Sequence, residues 1–298
     1  MPSSPLHRPL LDWYAAHARD LPWRGGSVTP WGVLVSEVML QQTPVARVVP
    51  AWEAWMARWP DPAALAAEPA GEAVRQWARL GYPRRALRLH AAAGACVERF
   101  GGTVPSTYDD LRSLPGVGDY TAAAVLAFAH GRRAVVLDTN VRRVLARAVG
   151  GAALPRPAVT RAERDLAESV LPDADEVAAR WSVAVMELGA LVCTAADPSC
   201  DRCPLAAQCA WLAAGRPAYD GPAHPVQRFA GTDRQVRGLL LSVLRESDGP
   251  VAKARLDAVW ADDVQRERAL DSLVADGLVD PVSEGRYRLP GDGARIEA

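Results

Sequence analysis

The sequence predicts a mainly α protein: two helical lobes built around a helix–hairpin–helix, followed by a smaller module of different style. Three observations predict it. From residue 5 to residue 130, apolar residues recur at helical spacing and almost nothing alternates as a half-buried strand does. Residues 111–145 then set Pro115, Gly116, Val117 and Gly118 between two helices, and proline and glycine make a tight turn of such a stretch. Finally, Pro217, Gly221, Pro222, Pro225 and Gly231 mark a linker over 215–231, after which three helices and two short extended pieces remain.

Taken in order, residues 5–19 read as a helix with Leu6, Leu10, Trp13 and Tyr14 on one side. A loop with Gly25, Gly26, Thr29 and Pro30 leads to a helix over 31–40, with Val35, Val38 and Met39 expected inside. Thr43 and Pro44 suit the cap and first position of the next helix, which runs to about Trp59. Short helices over 61–68 and 71–79 precede a longer one over 84–100, whose apolar positions are Leu87, Leu89, Ala93 and Val97. The hairpin follows, with its second helix from Asp119 to about His130, then a short apolar run over 134–137 and a helix after Asp138. Helices at about 160–170 and 174–190 come before a cysteine cluster. Helices over 233–246, 253–260 and 264–276, with extended pieces at 278–280 and 287–289, suggest a winged-helix-like module, with Val236, Leu239, Leu240 and Val243 on the apolar face of the first. The expected domains are 1–214, split into a lobe at about 25–135 and a second formed by 1–24 and 136–214, then a linker over 215–231 and the module 232–298.

With 298 residues, 49% hydrophobic and 23% charged, the chain has the material for two or three globular domains. No apolar run reaches membrane-spanning length, and the first twenty residues lack the plan of a signal peptide, so a cytosolic protein is expected. Net charge is −1, yet residues 71–150 hold twelve Arg against six Asp or Glu, a local excess of +6. Such a stretch is either a phosphate-binding face or a solvated helix surface. The C-terminal module carries the opposite sign, which favours packing or partner binding over a grip on nucleic acid. Lys253 is the single lysine, so a lysine Schiff base is excluded from the first 252 residues.

Four features carry chemistry. At the hairpin, the amides of Gly116 and Gly118 at a helix N-terminus suit a phosphate, with or without a monovalent cation. Glu37 lies within an apolar run, either on an exposed helix face or as a pocket acid with a raised pKa. Asp138 begins a helix that carries Arg142, Arg143 and Arg147, as a cap, as a functional anion, or as both. Cys193, Cys200, Cys203 and Cys209 give C-x6-C-x2-C-x5-C. Four thiols so close in a reduced compartment imply a metal rather than disulfides. One close pair with two outliers suits a [4Fe–4S] cubane better than zinc, which usually takes two knuckles. Arg202 is expected to face solvent from this loop, and Cys96 to be a buried structural thiol.

The hairpin LPGVG, the Asp138 beyond it and the cysteine spacing together resemble the helix–hairpin–helix, iron–sulfur DNA glycosylases of the endonuclease III superfamily, over residues 8–215. Within it, LPWR at 21–24, SEVMLQQTPV at 36–45, RLGYPRRA at 79–86, LDTNVRRVLAR at 137–147 and MELGALVCT at 186–194 are similar to the MutY-type adenine DNA glycosylases. The resemblance implies a monofunctional enzyme of base excision repair, monomeric and nucleoid-associated, that releases adenine mispaired with 8-oxoguanine or guanine in double-stranded DNA. Tyr120 stands where the superfamily's lyases carry a lysine. The resemblance makes Glu37 the acid that protonates adenine and later handles water, and makes Asp138 the stabiliser of the cationic sugar, supported by Tyr120 and Asn140. Trp23 and Arg24 would line the base pocket, and Glu187 would read adenine's edge. Gln42 and Tyr82 would wedge the duplex, and Thr43 and Leu80 would neighbour the opposite base. A core or surface role stays open for Trp23, Thr43 and Leu80. Two departures stand out: Pro83 replaces an aromatic residue, and residues 232–298 are too few for the Nudix-like domain with which many of these enzymes read 8-oxoguanine. A thymine-releasing glycosylase, a bifunctional lyase and a non-catalytic DNA binder are the competing readings.

Overall fold

The computed structural model describes residues 4–222 and 229–291. The expected linker residues 223–228 and the last seven residues of the expected module lie outside that range. The helices in order are α1 His7–His17, α2 Pro30–Leu40, α3 Val45–Arg58, α4 Pro62–Ala66, α5 Ala70–Trp77, α6 Arg84–Phe100, α7 Tyr108–Arg112, α8 Asp119–His130, α9 Thr139–Ala148, α10 Arg161–Val170, α11 Asp175–Leu191 and α12 Ala210–Ala213. The C-terminal segment adds α13 Asp233–Arg245, β1 Val251–Ala252, α14 Lys253–Asp257, α15 Asp263–Ala275, β2 Asp280–Val282 and β3 Arg286–Arg288. The chain is mainly helical, as its periodicity predicts. Among the described residues no helix is long and apolar enough to cross a membrane. The apolar run 134–137 forms no strand; it is an irregular connection that leads into α9.

Two compact units form. One comprises the described parts of Met1–Val33, Ser106–Arg112 and Val117–His224, the other those of Leu34–Pro105, Ser113–Gly116 and Pro225–Ala298. In the first, α1, α9 and α11 pack around Leu10, Val144, Ala178, Trp181, Ala184, Val185 and Leu188. The α9–α11 contact is close because Gly189 has no side chain: a Cβ there would lie 2.7 Å from Asn140 Cβ and 2.9 Å from Asn140 O. In the second unit, Trp55 meets Trp59 and Trp77 edge to face, with ring centroids 4.6 Å and 5.7 Å apart, and so packs α3 against α5.

The C-terminal segment belongs to this second unit. Its order is helix, strand, helix, helix, strand, strand, and β3 is the central strand of an antiparallel sheet ordered β1-β3-β2. The periodicity of 233–246 locates the helix but not its whole buried face: Val236, Leu240, Leu241 and Leu244 are buried, whereas Leu239 is exposed and Val243 half-buried. β1 is two residues long and pairs through Val251↔Tyr287, too short to leave an alternating pattern.

Local chemistry explains most boundaries, with two corrections. Thr43 does not cap α3. Pro44 takes that position without a side-chain bond, and the Thr43 hydroxyl instead donates to Leu80 O at 3.2 Å. On α6 the buried face is Arg85, Ala86, Leu89, Ala92, Ala93 and Cys96, while Val97 is exposed. Arg85 thus occupies an interior position that apolar patterning assigns to a hydrophobe. Elsewhere, Thr160 and Glu163 form a reciprocal capping box on α10, and Asp262 caps α15 through Gln265 N at 3.0 Å.

Replacing Gly189 with Ala should therefore force α9 and α11 apart. The expected cost is about 1–3 kcal/mol, read as a lowered thermal midpoint. An unchanged midpoint would show that the helices absorb the methyl group.

Candidate active site

The candidate residues divide between the two units. In the first, Asp138 is the N-cap of α9. Its Oδ1 accepts from Val141 N at 2.6 Å and its Oδ2 from Asn140 Nδ2 at 2.8 Å. Burial raises the Asp138 pKa above its ordinary value, against the opposing pull of those two donors and of Arg143. Asp138 is therefore the cap of α9, and the helix fixes where its carboxylate points. Asn140 is held in turn, since Arg143 Nη2 donates to its Oδ1 at 2.7 Å. The same guanidinium donates to Gly189 O at 2.6 Å and to Cys193 O at 2.7 Å. A continuous chain of hydrogen bonds thus runs from the Asp138 carboxylate to the start of the cysteine loop. Tyr120, in the first turn of α8, is half-buried and packs on Ala123, Ala124, Val136 and Ala179.

Glu187 lies on α11 and is fully buried. Its Oε1 accepts from Arg19 N and Nε at 3.0 and 2.8 Å, and its Oε2 from Arg19 Nη2 at 2.7 Å and Arg24 Nη2 at 2.9 Å. Burial pushes its pKa up, but the two guanidinium groups outweigh burial and hold it at about 2. The four acceptor sites of this carboxylate are engaged by arginine. Arg24 by contrast keeps a spare donor, as its Nη1 is buried with no hydrogen-bond partner among the described residues. Trp23, beside it in a short 3-10 turn, is buried.

The four cysteines of the loop share one neighbourhood. Burial pushes the Cys203 thiol up to about 11, and Cys193, Cys200 and Cys209 push it the same way. Arg147 Nη1 donates to Cys193 Sγ at 3.4 Å and to Thr194 O at 2.6 Å, its Nε to Ala153 O and its Nη2 to Ala195 O. Cys209 Sγ donates to Arg147 O at 3.7 Å. No three Cys, His, Asp or Glu among the described residues are gathered tightly enough to hold a single metal ion. An all-thiol donor set beside a guanidinium is chemically compatible with an iron–sulfur cluster. Arg202 is exposed, and Cys96 is buried on α6 with its pKa pushed up by burial to about 11.

In the second unit, Glu37 sits on α2 at 5% exposure, so the surface alternative for it falls away. Gln42 and Tyr82 are exposed and both have left-handed backbone, φ 56° and 48°. Such conformations are costly for non-glycine residues and persist where surroundings enforce them. Arg85 is the enforcing group. Its Nη1 donates to the carbonyls of Val38, Met39 and Gln41, and its Nη2 to Gly81 O at 2.9 Å and Thr43 Oγ1 at 3.0 Å. Burial lowers its pKa to about 10. Thr43 and Leu80 are buried within this staple and act as its struts.

At the hairpin, Gly116 has φ 79° and a Cβ there would lie 2.7 Å from Arg88 Cβ, so no other residue is accommodated. Gly118 differs: its φ of −93° is open to any residue, and space surrounds its Cβ position. What Gly118 leaves is unobstructed access to the first amides of α8.

The basic stretch 71–150 is less free than its charge suggests. Arg85, Arg142, Arg143 and Arg147 are buried against carbonyls or Glu163. Arg112 and Arg132 pair with Asp119 and Asp175. Sequence reasoning missed the structural duty of Arg85, Arg19 and Arg143. The signal was available at Arg85, four residues before Leu89 on the buried side of α6.

Comparison with known proteins is decisive about kinship. The family model described as HhH-GPD superfamily base excision DNA repair protein matches residues 35–170. An adenine DNA glycosylase of Mycolicibacterium smegmatis is 54% identical over 285 residues, covering 95% of this chain and 96% of that protein, so the similarity takes in most of the C-terminal module. A human adenine DNA glycosylase is 40% identical over 209 residues, 67% of this chain and 38% of that protein. Among solved structures, that of a thermostable thymine-DNA glycosylase superposes with a TM-score of 0.62 at 26% identity, covering 70% of this chain and 94% of the other. The chain belongs to the HhH-GPD superfamily of base excision repair proteins, in its branch of MutY-type adenine DNA glycosylases.

The Glu187 hub has a pH signature. Its pKa falls from 4.5 to about 2 on folding, so its contribution is fully present above pH 4.5 and fades as pH drops toward 2. Glu187→Gln should cost roughly 3 kcal/mol at neutral pH, and the gap to the parent protein should close below pH 4.5. A gap that does not change with pH would rule out the ionised hub.

Proposed function

We propose that the chain is a monofunctional DNA glycosylase that hydrolyses the N-glycosidic bond of adenine mispaired with 8-oxoguanine or guanine in double-stranded DNA, acting as a monomer. The observation that carries the reading is that the chain is 54% identical to an adenine DNA glycosylase and holds two carboxylates in different settings, buried Glu37 and helix-capping Asp138. In this reading the flipped adenine takes a proton from Glu37, and the bond to the sugar breaks with its electron pair leaving on the base. The Asp138 carboxylate stabilises the cationic sugar, directly or through a covalent ester, while Asn140 keeps it oriented and Tyr120 supports it. Glu37, now ionised, takes a proton from the water that adds to the sugar.

Arg24 enters with its spare buried Nη1 as a donor to adenine, and Trp23 as a pocket wall. Glu187 enters with a narrower role than reading adenine: with its oxygens engaged, it positions Arg24. Gln42 and Tyr82 wedge into the duplex, their exposure and enforced backbone supporting that use. Thr43 and Leu80 act on the opposite base through the shape of this loop pair. The amides after Gly116 and Gly118 take a phosphate, with or without a monovalent cation. Cys193, Cys200, Cys203 and Cys209 would hold a [4Fe–4S] cluster, which would cross-link the 193–209 loop. The glycosylase comprises residues 1–214, and 232–298 form a winged-helix-like module, a reading supported by its strand and helix order.

Strand cleavage by a lysine is not available. Lys253 is the single lysine, and its ammonium is bound by Asp257 and Glu267 inside the C-terminal module. The superfamily's thymine-releasing members share the scaffold, but buried Glu37 favours a base that leaves on protonation.

Glu37→Gln and Asp138→Asn should each lower single-turnover adenine release by about 10²-fold or more, as expected for a lost acid–base group, with duplex binding largely kept. Borohydride should trap no robust protein–DNA adduct. Full activity in either variant would refute the assigned role, and efficient trapping would refute the monofunctional reading.

A further inference from the structure

The loop 78–83 between α5 and α6 carries Tyr82. Three of its residues have left-handed backbone, Ala78 at φ 46°, Gly81 at 83° and Tyr82 at 48°. Arg85 restrains it from one side, with its guanidinium carbon 5.6 Å from the centre of the Tyr82 ring. The C-terminal module restrains it from the other, and it does so at both of the helices that flank the loop.

On the α5 side, two arginines are exchanged. Arg75 Nη1 donates to the carbonyls of Leu244, Arg245 and Ser247 at the end of α13, and Arg245 Nε donates back to Val74 O at 3.0 Å. Each guanidinium donates to carbonyls at or just past the last turn of the other helix, where intrahelical amides run out. Burial lowers the Arg245 pKa to about 10. Gly71 N donates to Pro290 O at 2.6 Å, which ties the start of α5 to the chain beyond β3. On the α6 side, Arg84 pairs with Asp276 at 3.3 Å, and Asp276 is itself held by Arg237 at 2.6 Å. At the loop tip, Arg234 Nη1 donates to the Tyr82 hydroxyl at 3.5 Å. The Arg234 guanidinium also lies 5.2 Å from the ring centre of Phe229, an aromatic at 55% exposure.

We infer that the C-terminal module is a brace for the Tyr82 loop, with Arg234 and Asp276 as positioning residues that set the tyrosine for insertion into the mispaired duplex. The inference rests on the wedge role given to Tyr82 above and extends it to how that wedge is held. It gives a module of net negative charge a use that needs no large DNA-contact face of its own. The tyrosine hydroxyl, of no use to a ring that merely stacks, is the point at which the module reaches the loop tip.

The test is a mutant cycle in the full-length protein, with binding to a mispaired duplex and fluorescence of a 2-aminopurine next to the mispair as readouts. Tyr82→Phe keeps the ring and loses the acceptor. It should weaken binding and lower the 2-aminopurine signal by about 3–10-fold, as Arg234→Ala does, and the two together should do no more than either alone. Asp276→Asn should lose its effect in a Tyr82→Ala background. Thermal midpoints of Tyr82→Phe and Arg234→Ala should stay at the parent value. If Arg234→Ala costs the same whether or not the Tyr82 ring and hydroxyl are present, it contacts DNA directly and the brace is overturned. If Arg234→Ala and Asp276→Asn change neither readout while Tyr82→Ala does, the brace is overturned and the wedge survives. If Tyr82→Ala itself has no effect, the wedge reading fails first.

Discussion

A guanidinium buried against backbone carbonyls is the interaction on which the structure depends. Desolvating a permanent cation is expensive, and it is offset here by several charge-assisted bonds per group. Arg85 draws the 38–43 and 80–82 segments together and leaves Gln42 and Tyr82 exposed on enforced backbone. Arg143 joins Asn140, Gly189 and Cys193 and so fixes the side chain that orients Asp138. Arg147 performs the same service for the cysteine loop. Lysine, with a compact charge and no planar fork, could not bridge so many acceptors at once. The near-absence of lysine from this chain is therefore tolerable to the architecture as well as informative about the chemistry.

This use of arginine also revises what charge says about binding. The +6 excess over 71–150 reads as a nucleic-acid face, yet a good part of it is spent inside the protein. Recognition in the proposed reading rests more on geometry: amides left open at the start of α8, two exposed side chains on constrained loops, and one spare donor on Arg24. In the same reading the two carboxylates divide the remaining work by environment. Glu37 is buried on the apolar helix α2, whereas Asp138 is tied to a helix start and to Asn140.

Much of this was legible in the sequence. Helical spacing located α6 over 84–100 and α8 from Asp119 to about His130, because Pro83, Gly101, Gly118 and Gly131 bound them chemically. Asp138 was readable as a cap because an acid directly before an apolar-periodic helix has few other local uses. The module's helices were visible, but β1 was not, since two paired residues leave no period. The site was harder. Thr43 looks like a cap beside Pro44, and only the fold reveals that its hydroxyl is needed by Leu80 O and Arg85. Glu187 looks like a free reader until Arg19, 168 residues away in sequence, closes on it. Long-range pairings of this kind follow from the topology and leave no local trace.

The central claim is that this scaffold releases adenine, chosen by its mispair. The most direct measurement presents the purified full-length protein with duplexes carrying A:8-oxoguanine, A:G and T:G, under single-turnover conditions with the released base identified. The account predicts adenine from the first two duplexes and no thymine from the third. Release of thymine alone would contradict it.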